Sequence, residues 1–281
     1  MTPDQYCANK AVSSGSSFYY SFRFLPPLQR QAITALYAFC RVVDDVVDEC
    51  DDPALARTKL EWWRSELAAL FAGKPSHPVT QALQPSITRF DLSHALLLDV
   101  IEGMTMDLDG VRYETFEDLQ QYCHRVAGVV GQLAARIFGF TDKATLDYAH
   151  ELGLAFQLTN IIRDVGEDVR RGRLYFPLQE LERFHVPITD ILHYKETAAF
   201  TALMHFQIER ARHYYRRAWE KLPHIDRRSQ RAGLIMAAIY RATLDEIALN
   251  GPAKVLNQRL SLTPIRKLWL AWKTWALGYR P

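Results

Sequence analysis

The chain has 281 residues, of which 48% are hydrophobic and 23% charged, and its formal net charge is +2. That length is ample for a sizeable buried core, and the balance is that of an ordinary globular protein. So small a basic excess argues against nucleic acid as the main partner, since little is left to neutralise a phosphate backbone; a small anionic ligand needs only a local cluster.

In chain order, Met1-Thr2-Pro3-Asp4-Gln5 lacks the charged-then-apolar pattern of a secretory signal. Leu36, Phe39, Cys40, Val43 and Val47 then recur at three- and four-residue steps, the period of a helix with one buried face. Asp52-Pro53 reads as a helix start, with Asp at the N-cap and Pro at the first helical position. Thr115-Phe116-Glu117-Asp118 resembles a capping box with Asp in place of Glu. Helical periodicity returns at Leu152, Ala155, Phe156 and Thr159, and the prolines are expected to fall between helices, Pro85 among them. The chain ends in Leu268-Trp269-Leu270-Ala271-Trp272-Lys273-Thr274-Trp275-Ala276-Leu277, preceded by Arg266 and Lys267. That run is too short to span a bilayer, and it reads equally well as a last packed helix or as an interfacial one. Period-two alternation, Gly/Ser-rich linkers and solenoid-length repeats are all missing, so the expectation is one all-α domain over residues 1–281. Cys7, Cys40, Cys50 and Cys123 form no CxxC pair and read as reduced thiols of a cytoplasmic protein.

Two acidic stretches carry chemistry. In Tyr37–Glu49, the residues Tyr37, Arg41, Asp44 and Asp48 are spaced four, three and four apart and form one helical stripe. Asp44 and Asp48 stand side by side, where like charges repel unless a cation separates them. Valines surround them, so much of this helix is buried and its carboxylates need partners. In Gln157–Asp168, Asn160, Asp164 and Asp168 share a face at steps of four, with Gln157 one turn earlier. The donors are all hard oxygens, which suit Mg²⁺ together with substrate phosphate oxygens and water. Either stretch alone would pass for a solvated helix face. Two of them, each in an apolar helix and each with an arginine (Arg41, Arg163), would clamp a diphosphate between them if they faced one another across a cavity.

These residues, with Ser14-Gly15-Ser16-Ser17-Phe18-Tyr19-Tyr20-Ser21-Phe22, Tyr122-Cys123-His124-Arg125-Val126-Ala127-Gly128 and Arg170-Arg171-Gly172-Arg173-Leu174-Tyr175-Phe176-Pro177, resemble the squalene and phytoene synthases, the head-to-head prenyl transferases. The resemblance covers nearly the whole chain and implies a single-domain isoprenoid-synthase helical fold with a central active-site cavity. It implies that Asp44, Asp48, Asn160, Asp164 and Asp168 face two or three Mg²⁺ ions, the four aspartates being catalytic in that sense. It further implies that Ser14, Gly15, Ser16 and Ser17 meet a substrate diphosphate, and that Tyr37, Arg41, Gln157, Arg163 and Tyr240 line the substrate site. By the same resemblance Tyr122 and Asp107 are linked to the chemistry, Arg173 belongs to a basic turn closing over diphosphate, and Arg259 and Lys267 are further diphosphate contacts. His124 reads as structural and not as a general base, with nothing placed to orient it.

Within the family the wording most resembles the bacterial presqualene diphosphate synthases of hopanoid biosynthesis, which implies condensation of two farnesyl diphosphates without a nicotinamide. Phytoene synthase, acting on two geranylgeranyl diphosphates, is the alternative, as is a squalene or hydroxysqualene synthase. A terpene cyclase would more usually carry an Asn/Ser/Glu type of triad in place of the second DxxxD. A catalytically silent helical assembly subunit is the non-enzyme alternative. Expected partners are the isoprenoid diphosphate, the inner face of a membrane and downstream isoprenoid enzymes.

Overall fold

The computed structural model describes residues 1–13, 21–50 and 52–279, and every regular element among them is helical. The Ser14–Ser17 segment expected to meet diphosphate lies outside the described residues. Helix α1 is Pro3–Ser13, α2 Pro27–Asp48, α3 Pro53–Phe71, α4 Pro78–Arg89 and α5 His94–Leu108. After α6 (Phe116–Cys123) comes a single π turn, His124–Gly128, leading directly into α7 (Val129–Phe138) and then α8 (Ala144–Arg170). Two short helices, α9 (Leu178–Arg183) and α10 (Ile188–Leu192), precede α11 (Ala198–Lys221), α12 (Arg231–Asn250) and α13 (Pro264–Leu277).

The helix starts follow local chemistry. Asp52 accepts a hydrogen bond from Ala54 N at 2.9 Å, and Pro53 opens α3. Thr115 and Asp118 form the reciprocal capping box of α6. Pro85 departs from expectation, because it lies inside α4 instead of ending it. A mid-helix proline forfeits one backbone bond. The helix runs on because Val79, Ala82 and Leu83 are buried where α4 packs on α1 and α2.

Two apolar cores result. One gathers α1 to α5 with Val129, Leu133 and Ile137 of α7. The other gathers α6, α8, α11 and α12. Between them lies a cavity of about 580 Å³, walled by Ile33, Leu36 and Met104 from the first core and by Leu152, Phe156 and Met236 from the second.

The wall formed by α7 and α8 depends on glycine. A Cβ at Gly153 would lie 2.3 Å from the carbonyl oxygen of Ala127, and one at Gly131 would lie 2.2 Å from that of Ala149. The two backbones therefore touch, running antiparallel. A third close approach, where a Cβ at Gly166 would lie 2.2 Å from Leu256 O, brings the segment carrying Arg259 onto α8. Gly153→Val should force these helices apart and cost about 1–3 kcal/mol or more. Urea unfolding of the variant beside the wild type reads this as a lowered midpoint at unchanged slope, and an unchanged midpoint would show that the contact is not needed.

Candidate active site

Polar residues collect at one end of the cavity. Helix α2 supplies Tyr37, Arg41 and Asp44, α6 supplies Tyr122, α8 supplies Gln157, Asn160 and Arg163, and α12 supplies Tyr240. Arg259 and Lys267 complete this mouth from the segment after α12 and the first turn of α13. Tyr37, Arg41 and Asp44 of the first stripe and Gln157 and Asn160 of the second thus line one cavity, whereas Asp48, Asp164 and Asp168 are not among its lining residues.

Asp48 lies one turn beyond Asp44, at the rim. It receives Arg171 Nη1 and Arg173 Nη1, each at 2.6 Å, which ties the end of α2 to the turn after α8. Arg173, expected over diphosphate, is thus engaged with a carboxylate. Arg163 grips the adjacent Asp164 in a fork, with Nε to Oδ1 at 2.8 Å and a second bond from Nη2 to Oδ2. Arg259 Nε reaches the same Oδ1 at 3.0 Å. Arg41 spans Asp44 Oδ2 and Asp45 Oδ1, both at 2.8 Å, and Lys10 holds the other oxygen of Asp45. Asp45 was not singled out in the sequence; it points into the helix packing and ties α1 to α2.

Behind the rim, Asp107 accepts the hydroxyls of Tyr122 at 2.7 Å and Tyr175 at 2.8 Å, the two rings stacking with centroids 5.2 Å apart. Sequence reasoning missed Tyr175, although it stands two residues past Arg173 in the quoted Arg-Gly-Arg-Leu-Tyr run. His124 does have an orienting partner, contrary to expectation: its Nδ1 is 2.9 Å from His150 Nε2, which comes from α8 and is distant in sequence.

The electrostatics show what this end lacks. Burial and then the neighbouring Asp48 push Asp44 up to about 7, with Arg41 only partly opposing. Asp44 is 35% exposed, but that surface opens into the cavity. Burial and then Asp164 push Asp168 up to about 8, against Arg173 and Arg171. Asp107 adds its negative charge to both. Opposite them, Lys267 is held below the usual lysine range by burial and by Arg163 and Arg259. An excess of crowded carboxylates beside crowded cations fits a site made for a cation and a polyanion together.

The donor set fits Mg²⁺. Asn160 Oδ1 is buried without a hydrogen-bond partner in the structure, and Asn160 lines the cavity between the acidic stripes. The described residues hold no ready cluster of three carboxylate, thiolate or imidazole ligands. An ion there would take one or two protein oxygens and complete its shell from phosphate and water, as Mg²⁺ commonly does.

A pH dependence follows. Between the ordinary carboxylate pKa and the raised values at Asp44 and Asp168, the folded protein binds protons that the unfolded chain does not, so stability falls as pH rises through that window. Relative to the variants Asp44→Asn and Asp168→Asn, the thermal midpoint of metal-free wild type should drop from about pH 5 to about pH 8, and Mg²⁺ with inorganic diphosphate should restore it at the upper end. Scanning calorimetry of the three proteins at several pH values checks this; a difference that does not change across that range would contradict the crowding.

The Squalene/phytoene synthase family model matches residues 11–266. A phytoene synthase from Arthrospira platensis is 38% identical, with 93% of this chain and 89% of that one covered. One from Mycobacterium bovis is 37% identical, covering 92% and 86%. Among solved structures, a dehydrosqualene synthase in complex with ligand superposes with a TM-score of 0.89 at 31% identity, covering 99% of this chain and 97% of that one. The squalene synthase HpnC from Alicyclobacillus acidocaldarius follows at 0.78 and 29%, covering 89% and 94%. The all-helical architecture is thus the single-domain isoprenoid-synthase fold, and the chain belongs to the squalene/phytoene synthase family of head-to-head prenyl transferases.

Proposed function

We propose that the chain condenses two twenty-carbon allylic diphosphates to phytoene, with Mg²⁺ held by Asp44, Asp48, Asn160, Asp164 and Asp168. The observation that carries the reading is a mouth of paired carboxylates and crowded cations on an apolar cavity. Arg41, Arg163, Arg259 and Lys267 bind diphosphate oxygens. The five metal-facing residues would hold Mg²⁺, which when bound would supply charge neutralisation to the leaving diphosphate. The apolar walls keep water from the allylic cation until the double bond of the second substrate attacks it. Asp107 accepts the Tyr122 hydroxyl at the cavity wall, so that hydroxyl can take the proton lost as the cyclopropane closes while passing its own to Asp107; loss of the second diphosphate, rearrangement of the ring and loss of a second proton then give phytoene. Ser14, Gly15, Ser16 and Ser17 are proposed to meet a substrate diphosphate.

Phytoene synthases at 36–38% identity over most of their length support the twenty-carbon substrate. The fifteen-carbon reading is favoured by the extent of superposition on the dehydrosqualene synthase, which does not speak for a product that ends at presqualene diphosphate. Incubation with Mg²⁺ and each substrate, followed by mass analysis, separates them. A forty-carbon hydrocarbon supports phytoene synthesis; a thirty-carbon product retaining one diphosphate moves the assignment to presqualene diphosphate. Asp44→Ala and Asp164→Ala should each lower kcat by about a hundred- to a thousandfold with the helical circular dichroism intact. Retained activity in either would undo the metal assignment.

Delivery of so apolar a product calls for a membrane, and α13 is the proposed contact. Trp269, Trp272 and Ile265 are 52%, 56% and 80% exposed, while Ala271 and Thr274 face the body of the protein. From Pro252 onward the chain has six Lys and Arg and no Asp or Glu, a charge balance that complements anionic lipid. No helix among the described residues is long and apolar enough to cross a membrane. Flotation with vesicles containing anionic lipid should carry the protein upward, and Trp269→Glu with Trp272→Glu should leave it at the bottom. Wild-type protein that stays at the bottom would remove this face from the proposal.

A further inference from the structure

The cavity has a mouth, and the helices around it also define a floor. Because α7 and α8 run antiparallel, with Gly131 against Ala149 and Gly153 against Ala127, the last residue of α7 lies farthest from Asn160 and Arg163. Helix α2 gives the same order. Gln29 stands fifteen residues before Asp44, roughly 20 Å down the helix at the usual rise, and its Nε2 donates to Phe138 O at 3.0 Å. Helix α12 agrees, with Tyr240 at the mouth and Ala232 at the deep end.

Behind this floor is a second space of about 640 Å³, bordered by Phe24, Phe140, Ile235 and Trp275 on its apolar side and by Arg228 and Arg231 on its polar side. Phe138 and Ala232 line both spaces. Ala232 contributes a methyl group, so the Phe138 ring is the bulk of the partition. The partition is also fixed. Gln29 holds the Phe138 carbonyl from one side, and Gln230 Nε2 donates to Gly139 O at 2.8 Å and to Ala135 O at 3.3 Å from the other. Two buried or half-buried amides thus anchor the C-terminal turn of α7 and fix the backbone position from which the ring projects.

We infer that Phe138 is the stop that limits the length of prenyl chain the cavity accepts, and that a longer chain would extend past it into the space beside Trp275. The inference rests on the prenyl transferase reading for its substrate and on the two linings for its geometry. A chain bound by its diphosphate at the mouth must place its far end at the floor, where each added isoprene unit meets the ring or, without the ring, finds the apolar side of the second space.

The test compares wild type, Phe138→Ala and Phe138→Leu on fifteen-, twenty- and twenty-five-carbon diphosphates with Mg²⁺. The ratio of kcat/KM for the longest substrate to that for the shortest should rise about tenfold or more in Phe138→Ala and by less in Phe138→Leu. Phe138→Leu keeps an apolar side chain and decides the matter if the alanine variant fails to fold. Affinities for unreactive thiolodiphosphate analogues of the same three lengths are measured in parallel, so that the floor is tested without turnover. If wild type turns over none of the substrates while the analogues show the length preference shifting upward in the variants, the stop stands and the proposed reaction falls. If turnover occurs and neither kinetics nor affinity shifts with chain length in a folded variant, Phe138 is not the stop.

Discussion

Carboxylates that cannot neutralise one another are the constraint around which this molecule is arranged. Asp44 and Asp48 on α2, Asp107 on α5, and Asp164 and Asp168 on α8 repel across the end of an apolar cavity, and burial sharpens the repulsion. The chain manages this partly with its own cations. Arg173 and Arg171 reach Asp48 across the rim, Arg163 and Arg259 share Asp164, and Arg41 is divided between Asp44 and Asp45. The pairs at Asp48 join elements that the apolar cores do not join, the end of α2 to the turn after α8, while those at Asp164 reinforce a contact between α8 and the segment beyond α12 that the second core already makes. What the arginines leave unmatched, Asp44 and Asp168 above all, is what the proposed Mg²⁺ and diphosphate would complete.

The same arginines explain how the site can hold itself open before it binds anything. Each cation proposed to touch diphosphate already has a carboxylate partner or a cation neighbour. Arg163 is committed to Asp164, and Lys267 is crowded by Arg163 and Arg259. An arriving metal–diphosphate pair exchanges these internal contacts for its own. In the proposed complex the protein carboxylates would turn to the metal and the freed guanidinium groups to phosphate, so the charges left unmatched before binding would gain partners on binding.

Much of this was legible in the sequence because it is written in local spacing. A three-four repeat puts Tyr37, Arg41, Asp44 and Asp48 on one helical stripe, and a four-residue repeat does the same for Asn160, Asp164 and Asp168; helical geometry guarantees both. The caps at Asp52 and Thr115 are local in the same way. What could not be read was whatever depends on a partner far along the chain. The Tyr175 hydroxyl matters because Asp107 lies 68 positions away, and His124 meets His150 across 26. Pro85 misled because its helix is stabilised by packing on α1 and α2, which no local signal reports. The distinction between fifteen- and twenty-carbon substrates is illegible for the same reason, since the depth of the cavity is set by where α7 ends relative to α2 and α12.

That depth follows from how closely helices approach. Gly131 and Gly153 let α7 and α8 touch along their backbones, which seals one wall of the cavity and fixes the level at which α7 stops. With α7 locked there, its C-terminal turn falls within reach of Gln29 and Gln230, and the Phe138 ring becomes a partition between two spaces. A side chain at either glycine would move that partition as surely as a change at Phe138 itself. Mouth and floor are thus specified differently: the mouth by charge, which tolerates small displacements because ions and water fill the gaps, and the floor by contact, which does not. Substrate class would then be set where charge acts, and chain length where packing acts, about 20 Å apart along the same helices.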